Sequence, residues 1–153
     1  MAWVTQRGEV SGRPAIVLLD RQFEFSAPVV ELPQLVWFGV WCRFDPKGAF
    51  WDPDETEDLE VVEKNLLTFA GSYARGNGVY VKCVSTPGLR EYYFYTAEGT
   101  HVDMAIGPLK AIHHNYRIEA DVMSDPGWKD YKKFVEWIRE GEAKDSVSTR
   151  KPH

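Results

Sequence analysis

Histidine and carboxylate side chains give this chain its candidates for metal binding and proton transfer. His101, His113 and His114, with Asp103 or Asp121, are side chains of the types used in zinc sites and in general acid–base catalysis. Adjacent histidines in a helix point about 100° apart, and the H-x-x-x-H spacing of a helical zinc site is absent. We therefore expect surface or helix-end histidines, no bound metal and no cofactor.

A second cluster of candidate ligands is acidic. It consists of Asp52, Asp54, Glu55, Glu57 and Asp58. Calcium and magnesium prefer carboxylate oxygens, but an EF-hand loop requires glycine at its sixth position, where this chain has Glu57. Acidic residues are also stabilised at the N-terminus of a helix by the helix dipole, and we interpret the cluster in that way.

The sequence has no convincing signature of a nucleophile. The pattern G-x-S-x-G does not occur, S-x-x-K occurs only in the polar C-terminal tail at Ser148, and the glycines at 71, 76 and 78 lack the Lys-Ser/Thr pair of a phosphate-binding loop. Cys42 and Cys83 lie in apolar, strand-like runs, where a thiol is a small hydrophobic group. We expect free thiols and no catalytic residues; an enzyme would need a pocket that gathers the histidines with carboxylates.

Aromatic side chains are the best candidates for binding. The predicted interaction surface comprises Trp37, Trp41, Phe50, Trp51, Tyr93, Tyr95 and Trp137. Trp and Tyr concentrate binding energy in protein interfaces, so a non-catalytic regulatory or protein-binding module is our leading hypothesis, and an immunity protein against a toxin enzyme is a narrower form of it. Single-stranded RNA binding by an aromatic sheet face is the alternative, although Arg90-Glu91 places a carboxylate where the RNP1 motif is basic. The other alternative is that these rings pack in the core.

The elements that must position these residues centre on a hairpin over residues 79–95, with a Pro87-Gly88 turn. Helix-patterned segments flank it, and a strand at residues 35–44 precedes them, while another at residues 116–122 follows. This order predicts an α+β fold: an N-terminal hairpin with a Ser11-Gly12 turn, a ferredoxin-like β-α-β-β-α-β two-layer sandwich, and a C-terminal helix. In that strand order Tyr93 lies on the strand between those of Cys42 and Cys83.

Three helices have predictable ends or interruptions. The first follows Asp52 and is expected to stop at Gly71, and the second is expected to be kinked or split at Gly107-Pro108. The third begins at Ser124 or Asp125 and carries Trp128 on its apolar stripe. We expect Trp128 to be buried and Trp137, which lies off the stripe, to be more exposed.

Composition and charge describe a globular protein. The chain has 153 residues, of which 44% are hydrophobic and 27% charged, and its net charge is −5. We expect one α+β domain over residues 1–141, a polar, disordered tail over residues 142–153, and a cytoplasmic protein without a membrane segment. The negative charge favours a protein partner over RNA or an anionic membrane, and the sequence leaves the oligomeric state open.

Several segments together resemble a bacterial family, the domain-of-unknown-function family numbered 695. They are the segments Gly12-Arg-Pro-Ala, Leu35-Val-Trp-Phe, Val62-Glu-Lys-Asn-Leu, Gly88-Leu-Arg-Glu-Tyr-Tyr-Phe-Tyr and Asp125-Pro-Gly-Trp-Lys-Asp-Tyr. Members of that family are often joined to a second domain similar to regulator of ribonuclease activity B, an inhibitor of ribonuclease E, which we expect to be absent here. The resemblance implies no established reaction and no catalytic residues. The second domain to which family members are often joined favours a protein-binding function. The loop at residues 47–53, with Phe50 and Trp51, departs from the short Gly- or Ser-rich loop of related chains.

Overall fold

The chain folds around a six-stranded sheet in which every neighbouring pair is antiparallel. The computed structural model describes residues 2–150. The strands are β1 (Trp3–Val10), β2 (Arg13–Asp20), β3 (Gln34–Trp41), β4 (Gly78–Thr86), β5 (Leu89–Thr96) and β6 (Arg117–Ser124). The α-helices are α1 (Thr56–Ala74), α2 (Ile106–Ile112) and α3 (Lys129–Arg150). The strand order is β1-β2-β4-β5-β3-β6.

Turn residues fix the two predicted hairpins. Ser11 and Gly12 both have positive φ angles, 52° and 77°, as the two central residues of a tight hairpin turn require. Gly88, with φ 82°, follows Pro87 in the turn between β4 and β5. Both hairpin predictions are confirmed.

The N-terminal hairpin enlarges the sheet. β2 pairs with β4, with Ile16 opposite Ser85, so the hairpin adds two strands at the β4 edge. The sheet therefore has more strands than the predicted β-α-β-β-α-β unit. β5 lies between β4 and β3, so the strand of Tyr93 separates Cys83 from the strand that precedes Cys42, and both cysteines are free.

Helices cover both faces of the sheet, so the molecule has three layers, whereas the sequence predicted two. On the α1 face, α1 and α2 pack on inward side chains that include Phe38 and Phe94. On the opposite, α3 face, α3 packs on the alternate residues of the same strands, such as Leu35 and Tyr95, and on the hairpin. Each face thus has its own apolar core.

A β-bulge in β4 changes which side chains reach α3. The pairing with β5 shifts between Tyr80 and Lys82, so Val81 has no partner and both Val81 and Lys82 belong to the α3 face. A strictly alternating strand would have sent one of them to the α1 face.

Two helix ends differ from the sequence predictions, and one predicted interruption is present. α1 continues past Gly71 to Ala74 and ends where Arg75 takes a left-handed conformation. A short 3-10 helix, Val102–Ala105, precedes α2, so the segment is split, but the break lies just before Ile106 and Gly107-Pro108 belong to the first turn of α2. α3 runs to Arg150, so most of the tail that we expected to be disordered is helical, and residues 151–153 lie outside the described residues. Within residues 2–150, no helix is long and apolar enough to cross a membrane.

Candidate interaction surface

The helices leave one region of the α3 face without a helical layer, where β5, β3 and β6 lie side by side. Trp37 and Trp41 of β3 are partly exposed there and belong to neither core, and Tyr93 of β5 is partly buried beside them. We call these three side chains the aromatic surface. They share a face because residues two and four apart on a strand point the same way, and because Tyr93 pairs with Trp37.

Glu91 organises the aromatic surface. Its Oε2 accepts a hydrogen bond of 2.8 Å from the Trp37 indole and one of 3.3 Å from the Tyr93 hydroxyl. The two indoles meet edge to face, with ring centroids 6.2 Å apart. These contacts hold the Trp37 and Tyr93 rings in one orientation, and side chains held in this way lose less entropy when another group binds to them.

Gly39 allows the Trp37 ring to lie flat against the sheet. A Cβ atom at position 39 would stand 2.5 Å from Cζ2 of Trp37, so no other residue fits beneath the ring in this arrangement. Glycine is required here by a close approach and not by its φ angle.

Acidic residues surround the rings, and we call Glu91, Glu119 and Asp121 the acidic rim. Glu119 and Asp121 are exposed on β6, opposite Gly39 and Trp37 of β3. A cationic side chain of the chain itself contacts these residues: the Arg117 guanidinium lies 4.0 Å from the centre of the Trp41 ring and pairs with Glu119 at 3.1 Å. The surface is thus suited to cationic and aromatic groups.

Lys82 lies beneath the edge of this surface. Its ammonium contacts the Tyr93 ring at 3.9 Å and the Phe134 ring at 3.4 Å, and it pairs with Asp130 at 2.6 Å. Burial lowers the pKa of Lys82 to about 8, and the Asp130 carboxylate offsets part of that effect. The Lys82 side chain is 1% exposed, so its ammonium joins α3 to the sheet and is not accessible to another molecule.

The other predicted surface residues lie elsewhere. Tyr95 is fully buried and stacks on Trp128 with ring centroids 4.0 Å apart, so it is not part of any surface, and its place in the prediction is corrected. Phe50 and Trp51 lie in the loop before α1, on the other side of the sheet, where Trp51 packs against the α1-face core. Trp137 of α3 packs over Gly8 of β1 and donates to the Glu9 carbonyl at 3.0 Å.

The histidines and the acidic cluster have local partners. His113 is buried against Asn65, at 2.9 Å, and burial lowers its pKa, while His101 and His114 are exposed. Glu55 is buried and accepts hydrogen bonds from three groups outside its own helix turn. In the part of the chain that the structure describes, no three His, Cys, Asp or Glu side chains form a group that could hold a metal ion.

The cysteine thiols are not activated. Burial raises the pKa of Cys83 to about 12, and it also raises the pKa of Cys42, with the Glu55 carboxylate as a second cause. Both thiols are therefore protonated near neutral pH, and a protonated thiol is a poor nucleophile.

Sequence reasoning missed the roles of three residues. Lys82 is a charged residue inside the apolar run at residues 79–84, and that is the signal that could have identified it. Glu55 stands in the acidic cluster that we interpreted through the helix dipole, and nothing in the sequence distinguishes it from its exposed neighbours. Gly39 interrupts an apolar strand, which commonly marks a close approach.

Comparisons with known proteins place the chain in a family without supplying an activity. The family of unknown function DUF695 matches residues 1–135. No curated protein matches the chain. No solved structure matches it either.

Proposed function

We propose a function for this chain, which belongs to the family of unknown function DUF695, from its aromatic surface. It is a non-catalytic regulatory module that binds a basic segment of another protein. The observation that carries this proposal is the pair of partly exposed indoles on the part of the α3 face that no helix covers. Glu91 holds the Trp37 indole, and Glu119 and Asp121 border the pair. Lys and Arg side chains of the partner stack on the rings and pair with the rim.

A contact of the proposed kind is already present within the chain, beside the aromatic surface. Arg117 already stacks on Trp41 and pairs with Glu119, as a partner's arginine is expected to do on Trp37 with Asp121 or Glu91. An immunity protein that neutralises a basic toxin enzyme is the narrower form of the same proposal.

Nuclear magnetic resonance with a nona-arginine peptide tests the proposal. We expect the peptide to shift the indole N–H signals of Trp37 and Trp41, and the double variant E119K/D121K to weaken binding about tenfold or more, since rim charges each contribute up to about 1 kcal/mol. The matched control is E31K/E98K, which makes the same change in net charge at two exposed loop positions. Equal weakening in both double variants, or no shift of either indole, would contradict the proposal.

Single-stranded RNA is the second candidate, favoured by the same exposed rings, because bases stack on aromatic side chains. In this protein the carboxylates of the acidic rim repel the phosphate backbone of RNA. Oligouridylate that quenches tryptophan fluorescence at low salt, with stronger quenching for E119K/D121K, would support RNA binding and remove the basic-peptide proposal.

We also propose that β3, α1, β4, β5, α2 and β6 form a ferredoxin-like unit to which the hairpin and α3 are added. The strand order β4-β5-β3-β6 supports this interpretation. Residues 1–141 are proposed as one domain, with α3 packed on the hairpin strands.

A further inference from the structure

The N-terminal hairpin extends the sheet beyond α1 and α2 and leaves a cleft on the α1 face. The cleft has a volume of about 350 Å³. Its floor includes Ile16 and Leu18 of β2, and α1 forms one wall with Glu60, Glu63 and Leu67. This volume is at the lower end of the range for small-molecule sites, about 300–1,000 Å³.

Aromatic rings line the cleft from three other elements. They are Trp3 of β1, Trp51 of the loop before α1, and Tyr80 of β4. Trp3 and Tyr80 are in contact, with ring centroids 4.9 Å apart. Most of the lining is apolar, so a ligand would bury an apolar body here.

Arg90 of β5 reaches into the same cleft. The residue is 8% exposed, and its Nε is buried without a hydrogen-bond partner. No carboxylate in the described part of the chain forms an ion pair with it. Its guanidinium lies 4.2 Å from the centre of the Trp51 ring, which holds it in place.

A buried guanidinium without an anion is costly, and a stack on one indole offsets only part of that cost. Glu63 lines the same cleft and accepts the Tyr92 hydroxyl at 3.0 Å, but its carboxylate forms no ion pair with Arg90. The arrangement is explained if a ligand brings the anion.

We propose that the cleft binds a small organic monocarboxylate. The carboxylate pairs with Arg90, whose planar fork matches it, and the apolar body of the ligand lies among Trp3, Trp51 and Tyr80. Glu60 and Glu63 on the α1 wall repel any anion, and they repel a phosphate dianion more strongly than a monoanion, so the cleft prefers the monoanion. This site shares no residue with the aromatic surface and does not depend on the proposed protein partner.

Isothermal titration calorimetry with phenylacetate, phenyl phosphate and benzyl alcohol tests the site. We expect phenylacetate to bind more tightly than the dianion, and the variant R90M to lose at least tenfold in phenylacetate affinity while leaving any benzyl alcohol binding unchanged. The control is R117M, because Arg117 also stacks on an indole, at 4.0 Å, but on the other face of the sheet. It should bind phenylacetate like the unchanged protein.

Thermal unfolding separates a ligand role of Arg90 from a structural one. R90M should melt no lower than the unchanged protein, because removal of an unpaired buried charge costs no ion pair. Leu18 is 36% exposed, so L18E should fold, and its new carboxylate should abolish phenylacetate binding. Absence of phenylacetate binding to the unchanged protein, or equal weakening by R90M and R117M, would overturn the proposal.

Discussion

Trp128 shows how one side chain can secure a helix to the sheet. It is fully buried, stacks on Tyr95 and donates from its indole to the Leu32 carbonyl at 2.8 Å. It also differs from the sequence prediction in one respect: its φ of 53° is left-handed, and α3 begins at the next residue, so Trp128 precedes the helical stripe. The prediction that it is buried is confirmed.

We expect W128A to lower the free energy of unfolding by about 3–5 kcal/mol, the usual cost of removing a large buried ring. W137A is the comparison, because Trp137 is half-buried and lies at the margin of the α3-face core, where it packs over Gly8 and donates to the Glu9 carbonyl. It should cost about 1–2 kcal/mol. Urea unfolding of both variants measures the difference; similar losses would mean that Trp128 does not anchor α3.

The buried Lys82 gives stability a specific pH dependence. Its pKa is about 8 in the folded protein and near 10.5 in an unfolded chain, so between these values the unfolded chain binds more protons. Stability therefore rises with pH over this window. Above about pH 10 the buried tyrosines act in the opposite direction, because burial raises the pKa of Tyr93 above that of an unfolded chain.

The measurement is urea unfolding at intervals between pH 7.5 and 10 for the unchanged protein and for K82M. The unchanged protein should gain stability relative to K82M as the pH rises, since only the unchanged protein has the shifted ammonium. D130N should enlarge this gain in stability. The Asp130 carboxylate raises the pKa of Lys82, so its loss widens the difference between the folded and unfolded pKa values. A pH-independent difference between the two proteins would contradict the assignment.

At the scale of elements, Glu55 joins three segments. It ends the short 3-10 helix Pro53–Glu55 before α1, and its carboxylate accepts the Arg43 and Phe44 amides at 2.8 and 3.0 Å. The same carboxylate accepts the Tyr116 hydroxyl, just before β6, at 2.7 Å. The end of β3, the start of α1 and the start of β6 therefore meet at one buried side chain.

E55A should lower the free energy of unfolding by about 2–4 kcal/mol. The hydrogen bonds to the buried carboxylate are lost, and the groups that donated them are left without an acceptor. E57A, two residues away on the exposed side of α1, should cost less than about 1 kcal/mol through the helix dipole. Thermal unfolding compares them, with E55Q as an intermediate that keeps one acceptor oxygen. If E55A and E57A unfold alike, Glu55 is only another acidic residue at a helix start.

The hairpin turns could be predicted, because their residues require particular backbone angles. The ends of α1 and α3 could not, because the residue types at the predicted stops do not decide whether the helix ends there. Ser11-Gly12 and Pro87-Gly88 demand specific backbone angles, so both hairpins follow from the sequence. Gly71 was interpreted as a stop, but it lies on the exposed side of α1, where a glycine lowers helix stability without ending the helix. The polar run after residue 141 has no apolar stripe to mark it as helix, although α3 continues through it.

At the scale of the whole molecule, the candidate sites depend on contacts between distant segments. The sequence indicated that Trp37, Trp41 and Tyr93 could form a surface, but not which part of the sheet the last helix leaves uncovered. It also gave no register between β2 and β4, and that pairing creates the cleft in which Arg90 lies. Such arrangements follow from tertiary packing, which a local pattern does not encode.

Strand β5 serves both surfaces with consecutive residues, since Arg90 points to the α1 face and Glu91 to the α3 face. Because neighbouring side chains on a strand alternate, no position is shared between the cleft and the aromatic surface. Residues of the proposed partner-binding surface can therefore be replaced while those of the proposed ligand cleft are kept, or the reverse. The two proposed specificities are free to evolve separately on one scaffold.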